Sequence, residues 1–140
     1  MAEYTAVALQ TVAAGQNVVF TDTPVAGGRC VDHRAGSGVV TLRGVTNQCR
    51  ARYKVTFGAN VAIPTGGTVG PVSLAIALAG EPLGSATMIQ TPAAVEEFSN
   101  VFAAVFVEVP QGCCVNVAVE NTGADPINVQ NANLIVERVA

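Results

Sequence analysis

The chain has 140 residues, a length typical of one domain, and we expect a single domain over residues 1–140. Charged residues make up 12% of the sequence, against roughly 25% in an ordinary soluble domain, and the net charge is −3. This composition leaves apolar surface for self-association to bury, and its acidic balance without a basic-aromatic pattern argues against a nucleic-acid partner.

No run of about 18 apolar residues escapes interruption by Gly, Pro or charge, so we expect no membrane span. The N-terminal residues Met1-Ala2-Glu3-Tyr4 lack the basic region of a secretory signal peptide, and no continuous apolar region follows them. We therefore expect a chain that is made in the cytoplasm and is not exported by the standard route.

Short alternating segments dominate the first third of the chain. Residues 4–9 predict an edge or terminal strand, and residues 17–20 predict a second short strand. Residues 22–28 are rich in Pro and Gly and predict a loop. Residues 29–32 and 39–43, which flank a glycine-rich turn, predict a hairpin.

A longer strand is predicted over residues 50–61, with Tyr53, Val55 and Phe57 pointing inward. The next segment, residues 66–80, is bounded by glycines and alternates large with small side chains. Because a solvent-facing strand normally carries longer polar groups, a face of only Ser and Ala indicates that a second surface packs against it. We take that surface to belong to another copy of the protein.

Turn residues at 80–84 lead into a predicted strand at 85–90. Residues 91–98 are the only segment compatible with a helical turn, in which Thr91 would be the N-cap and Pro92 the first helical residue. An irregular strand is the alternative for this segment.

Residues 100–109 predict a strand that is apolar on both faces, and such a strand is covered on both sides. A tight turn then leads into a strand at 113–120, and strands at 127–129 and 133–139 close the chain. The total of about ten short strands predicts an all-β fold, an antiparallel β-sandwich of the jelly-roll type.

Few side chains are suited to catalysis or metal binding. Cys30, His33 and Cys49 offer three metal ligands, and three copies of His33 around a threefold axis offer another route, but no CxxC or HExxH pattern accompanies them. Glu96 and Glu97 are sequence neighbours rather than a facing pair of carboxylates. We expect no catalytic residue, no metal and no cofactor, and we expect that the protein is not an enzyme.

The four cysteines allow more than one redox state. Cys30 and Cys49 bracket the strand at 39–43, so a disulfide across that hairpin is one option, and two inert thiols in a reducing cytoplasm are the other. Cys113 and Cys114 are adjacent, and a bridge between them would be strained. We expect these two to be core thiols.

Basic residues are concentrated in one part of the chain, because six of the seven lie within the first 54 residues. This asymmetry indicates docking between subunits or on an acidic partner protein, and solvated charges without a partner are the alternative. The predicted docking residues are Arg29, Arg34, Arg43, Arg50, Arg52 and Lys54.

Turn-and-core patterns along most of the chain resemble the trimeric jelly-roll domain of tumour-necrosis-factor-like (TNF-like) proteins and complement-type globular heads. The sequence is more closely similar to the C-terminal domain of bacterial collagen-like exosporium glycoproteins and their phage-borne relatives. The similar segments are residues 14–20, 63–75, 78–82, 109–112 and 131–136.

The resemblance implies a tight homotrimer with apolar residues along its threefold axis. It agrees with the small-residue face and the two-sided apolar strand described above. The residues predicted to form the trimer interface are Ser73, Ala75, Ala77, Ala79, Phe102, Ala104 and Phe106.

Unlike the exosporium proteins, this sequence has no Gly-X-Y stalk before the domain. A free-standing trimer without a secretion signal fits a virion component that is assembled in the bacterial host cytoplasm. We therefore expect a non-enzymatic bacteriophage structural protein, either a capsid decoration protein or a head-fibre or tail knob, with the major capsid protein or another virion protein as partner. The alternative is an adhesion head that binds host glycan or mucin, although the sequence lacks Trp.

Overall fold

The structure is a computed structural model and describes all residues from 1 to 140. It contains strands and no helix, which confirms the all-β prediction. The eleven strands are β1 (Ala2–Ala6), β2 (Gln10–Val12), β3 (Asp22–Val25), β4 (Val31–His33), β5 (Val40–Arg43), β6 (Arg50–Ala62), β7 (Val72–Leu78), β8 (Glu81–Gln90), β9 (Ser99–Pro110), β10 (Cys114–Asn121) and β11 (Ile127–Arg138).

The strands form two antiparallel sheets that pack face to face as a sandwich. The front sheet has the order β3-β1-β11-β6-β9, and β2 pairs with β11 as its sixth strand. The back sheet has the order β4-β5-β10-β7-β8. The predicted hairpin is confirmed as β4–β5. The predicted terminal strand, β1, lies inside the front sheet between β3 and β11.

The core lies between the inner faces of the two sheets. Along β6 the side chains alternate, and the predicted inward residues Tyr53, Val55 and Phe57 are fully buried. The Phe57 ring meets the ring of Phe20 edge-on, with 6.3 Å between the ring centroids. A single cluster of 31 buried residues connects the sheets, so both sheets share one core.

Two predictions near the N-terminus are wrong. Residues 17–20 do not form a strand, because only Asn17 bridges to another strand, yet Val18 and Phe20 are buried and fill the core. Asp22–Val25, predicted as loop, is the edge strand β3. Proline is tolerated there because an edge strand leaves some of its N–H groups unpaired.

The predicted turn at residues 80–84 is shorter in the structure. β7 and β8 are joined by two residues only, Ala79 and Gly80, whose φ angles are 52° and 84°. Positive φ at both central residues is the geometry of a type I′ hairpin, which matches the twist of the flanking strands. Residues 81–84 therefore belong to β8.

Residues 91–98 form no helical turn. Glu96 has a φ of 60°, in the left-handed region, and its N–H donates to the carbonyl of Ile63 at 2.9 Å. This bond to a distant segment replaces the local bonds that a helix would need.

The two predicted C-terminal strands are one continuous strand, β11. Its register against β6 shifts between Gln130 and Asn133, and Asn131 has a φ of 56°. These features are those of a β-bulge, which interrupts the side-chain alternation without ending the strand.

No segment of the structure is a helix with the length and apolar character needed to cross a bilayer.

Candidate functional site

The small-residue face of β7 belongs to the outer face of the back sheet. Ala75 and Ala77 are 0% and 2% exposed within one copy of the chain. Ser73 is partly buried, and its hydroxyl is 2.6 Å from the hydroxyl of Thr122. Ala79 lies beyond the end of β7, in the hairpin turn.

The aromatic half of the predicted interface lies on the front sheet. Phe102 and Phe106 on β9 are 64% and 62% exposed, and Ala104 between them is exposed as well. The opposite face of β9 points into the core, where Val101 and Val107 are buried. We call Phe102, Ala104 and Phe106 the aromatic row.

The structure does not bring the two halves of the predicted interface together, because they lie on the outer faces of different sheets. The aromatic row is free for contact, whereas in the β7 row Ala75 and Ala77 are buried, Ser73 is partly buried and Ala79 is exposed. The contribution of the β7 residues to a trimer stays a prediction.

Three of the six predicted docking residues pair with carboxylates of their own chain. Arg43 forms an ion pair with Asp32 across the β4–β5 hairpin. Arg50 and Arg52 both reach Glu108 across the β6–β9 pair, at 2.5 and 2.9 Å. These two hydrogen bonds hold the pKa of Glu108 below its usual value, with Arg50 the larger cause.

The other three predicted docking residues are exposed and form no ion pair within the chain. They are Arg29, Arg34 and Lys54. Exposed cations without an internal partner keep their full charge available for another molecule. They are therefore the better candidates for docking on an acidic surface.

All four cysteines are free, and the structure has no disulfide across the β4–β5 hairpin. Cys113 and Cys114 are exposed, as is Cys49, so the prediction of core thiols is wrong. The cause is position, since Cys113 lies in the turn between β9 and β10 and Cys114 begins β10 on its outer face. Cys30 is partly buried, and a guanidinium N–H of Arg138 lies 3.1 Å from its sulfur.

His33 contacts an aromatic side chain and a backbone carbonyl of its own chain. Its ring lies against Tyr4 with 4.5 Å between centroids, and its Nε2 is 2.8 Å from the carbonyl oxygen of Ser37. No group of three or more His, Cys, Asp or Glu side chains is placed to hold a metal. The structure therefore does not bring Cys30, His33 and Cys49 together as a ligand set.

Two surface cavities were not predicted from the sequence. The first, of about 380 Å³, lies where the β6–β7 and β10–β11 loops meet, and the polar groups on its wall include Thr11, Thr68 and Asp125. The fully buried Asn121 supports this region. Its amide N–H groups donate to the carbonyls of Val12 and Asp125, at 3.0 and 2.9 Å.

The second cavity, of about 420 Å³, lies on the outer face of the back sheet and includes Ala77, Ala118 and Glu120 in its wall. One carboxylate oxygen of Glu120 is buried and has no hydrogen-bond partner. No sequence signal marks this residue, because an outward Glu in an alternating strand is ordinary. Asn121 does have a signal, the Asn-Thr-Gly turn that it opens.

The sequence matches no protein-family model and no curated protein. Among solved structures, the globular domain of the zebrafish complement 1qA protein aligns with a TM-score of 0.64 and 14% identity, over 96% of this chain and 94% of that one. The Eiger TNF from S. frugiperda aligns with a TM-score of 0.70 and 14% identity, over 99% and 91% of the two chains.

Murine APRIL aligns with a TM-score of 0.54 and 10% identity, over 95% of this chain and 97% of that one. Identities this low show no family relationship. The superposition of nearly the whole of each chain does show that the architecture is the same. Two antiparallel sheets, no helix and end-to-end superposition together make this chain a jelly roll of the TNF and complement 1q type.

Proposed function

We propose that the protein is a non-enzymatic homotrimer that serves as a structural accessory of a bacteriophage virion, as a capsid decoration protein or a head-fibre or tail knob. The observation that carries the trimer is the aromatic row. Two Phe rings that are each more than 60% exposed, on the same face of an edge strand, need a covering surface. Domains of the TNF and complement 1q type commonly form homotrimers.

The surface beside the aromatic row suits a second copy. On β6, Gly58 is paired with Phe102 and Thr56 is paired with Ala104. On the next strand, β11, Ile135 is paired with Thr56. Because these side chains are short or apolar, the outer face of the front sheet has a shallow depression at its middle strands. In a cyclic trimer the contact is between two different patches, so the row of one copy can pack on the middle of the next.

The energetic case for this contact is favourable. Burying the exposed part of one Phe ring contributes roughly 1–2 kcal/mol, and each protomer offers two rings. Lys54, opposite Phe106, is the only charge directly paired with the row, and the Arg52–Glu108 ion pair lies beside Phe106 at its end. The long stem of Lys54 can lie over apolar surface while the ammonium group reaches water.

The virion role is supported by the charge distribution. Arg29 and Arg34 are exposed and free of internal ion pairs, and unlike Lys54 they are not paired with the aromatic row, so they are suited to an acidic capsid surface. The proposed site of action is the virion, with assembly in the host cytoplasm. The proposed partner is the major capsid protein or another virion protein.

Light scattering during size-exclusion chromatography tests the trimer. The wild type should have three times the chain mass of 14.2 kDa, and Phe102→Glu should dissociate to monomers because it places charge in the contact. The matched control is Val45→Glu, at an exposed apolar residue in the loop after β5, which should stay trimeric. A monomeric wild type, or a trimeric Phe102→Glu variant, contradicts this interface.

Co-sedimentation with capsids of the encoding phage that lack this protein tests the virion role. We expect the wild type to sediment with them and the combined Arg29→Glu and Arg34→Glu variant to bind more weakly.

A glycan array run in parallel tests the alternative, an adhesion head for host glycan or mucin. The alternative is favoured by the loop cavity, whose Thr and Asp groups and proline rings are suited to sugar hydroxyls and C–H faces. Binding to glycans alone contradicts the virion proposal.

A further inference from the structure

The cavity on the outer face of the back sheet is a trough with a floor of methyl groups. Ala77 of β7 and Ala118 of β10 are directly paired across the sheet and form the floor. Asn17, Val39 and Glu120 line its walls. We call this cavity the back-sheet trough.

Glu120 is the unusual group in the back-sheet trough. Its Oε2 atom is buried and accepts no hydrogen bond. A buried polar atom without a partner costs about 1–3 kcal/mol, and more when the group is charged. Native structures contain few such atoms, and each one calls for a ligand, a water or a functional reason.

The charge of the trough defines what can bind there. Among its nine lining residues Glu120 is the only one with a charge, and no Lys, Arg or His is among them. A bound group that complements this wall must therefore be a cation. The floor is apolar, so the same ligand must also carry a hydrocarbon part.

An ammonium group is more suitable than a guanidinium. Arg binds carboxylates best through two parallel hydrogen bonds to both oxygens, whereas here one oxygen is buried without a partner. An ammonium has three donors, and the trough offers the Glu120 carboxylate with the side-chain oxygens of Asn17 and Asn116. Asn116 is held in place because its Oδ1 accepts a 2.9 Å hydrogen bond from Thr41.

We propose that the back-sheet trough binds the side chain of a lysine presented by a partner protein. The methylene stem lies against Val39, which is 37% exposed, above the floor formed by Ala77 and Ala118, and the ammonium group donates to the Glu120 carboxylate. The trough lies on the sheet opposite to the aromatic row, so this site is independent of the trimer proposed above. It accounts for the small side chain at Ala77, because a larger one would fill the trough.

Nuclear magnetic resonance of the alanine methyl groups tests the proposal on the wild-type protein. The probe is N-acetyl-lysine methylamide, and its neutral comparison is N-acetyl-norleucine methylamide, which has a similar stem and no charge. We expect saturable shifts of the Ala77 and Ala118 methyl signals, with the lysine probe binding about tenfold more tightly, as one charge-assisted hydrogen bond would give. Equal binding of the two probes, or no saturable shift, overturns the proposal.

Glu120→Gln tests the carboxylate with little change in shape. It should reduce binding of the lysine probe to the level of the norleucine probe, and the control Glu137→Gln, at an exposed carboxylate on β11 of the front sheet, should bind like the wild type. Undiminished binding by Glu120→Gln overturns the assignment. If that variant does not fold, the comparison of the two probes on the wild type still decides the question.

Discussion

Tyr53 links the core to both ends of the β4–β5 hairpin through a single hydroxyl group. That hydroxyl donates to the carbonyl of Arg43 at 2.6 Å and lies 3.3 Å from the carbonyl of Cys30. The ring is fully buried, and the guanidinium of Arg138 lies 5.8 Å from its centroid. Burial is the main cause that raises the pKa of Tyr53, and burial likewise raises the pKa of Tyr4.

This raised pKa predicts alkaline sensitivity. Because the folded state holds the phenolic proton more tightly than the unfolded state, the stabilisation is fully present below the usual tyrosine pKa of about 10. It is lost as pH rises through the folded value. In a spectrophotometric titration, we expect Tyr4 and Tyr53 to ionise together with unfolding.

Tyr53→Phe provides the matching variant. At neutral pH we expect it to lower the free energy of unfolding by about 1 kcal/mol, because the hydrogen bond to Arg43 is lost. Above the usual tyrosine pKa the difference between variant and wild type should shrink. Reversible ionisation at the ordinary pKa with the circular dichroism spectrum unchanged would contradict this account.

At the scale of elements, the end of the sandwich near Gly44 depends on close backbone contact. Gly44 donates its N–H to the carbonyl of Cys113 at 2.9 Å, and its carbonyl accepts from the N–H of Gly112 at 3.0 Å. A Cβ atom at Gly44 would lie 2.0 Å from the carbonyl oxygen of Pro110. The loop after β5 and the β9–β10 turn can approach this closely only because residue 44 has no side chain.

Gly44→Ala should therefore push the two loops apart and lower the free energy of unfolding by about 1–3 kcal/mol. The control is Gly84→Ala in β8, where an added Cβ meets no atom within 4 Å. That variant should be neutral or slightly stabilising, because Ala restricts the unfolded chain more than Gly does. Urea unfolding at equilibrium measures both, and equal midpoints for the two variants would refute the argument.

Several elements were predictable from local patterns, and others were not. The inward residues Tyr53, Val55 and Phe57 follow from alternation along one strand. β3 was missed because Pro24 is typical of loops, and only its place at a sheet edge makes it acceptable. The left-handed conformation of Glu96 depends on a bond to Ile63, more than thirty residues away, which no local pattern predicts.

At the scale of the whole molecule, the proposed trimer predicts that thermal stability depends on protein concentration. Dissociation accompanies unfolding of a trimer, so mass action raises the midpoint as concentration rises. For a chain of this length a tenfold increase should raise Tm on the order of 3 °C. Phe102→Glu should have a Tm independent of concentration. Differential scanning calorimetry over a hundredfold concentration range decides this, and a constant wild-type Tm would contradict the trimer.

The sequence by itself determined the fold class and the faces of individual strands. Alternation in β6 and β9 is a local property, because neighbouring side chains on one strand point to opposite sides. It was sufficient to predict the sandwich and to place Phe102 and Phe106 on the face of β9 opposite to Val101 and Val107.

Only the tertiary structure decided which sheet each strand joins and which outward residues find partners. It separated Ala77 from Phe102 onto opposite faces, paired Arg50 and Arg52 with Glu108, and left one oxygen of Glu120 unpaired. These outcomes depend on contacts between residues far apart in the chain, and strand pairing of that kind is set by the packing of the whole core.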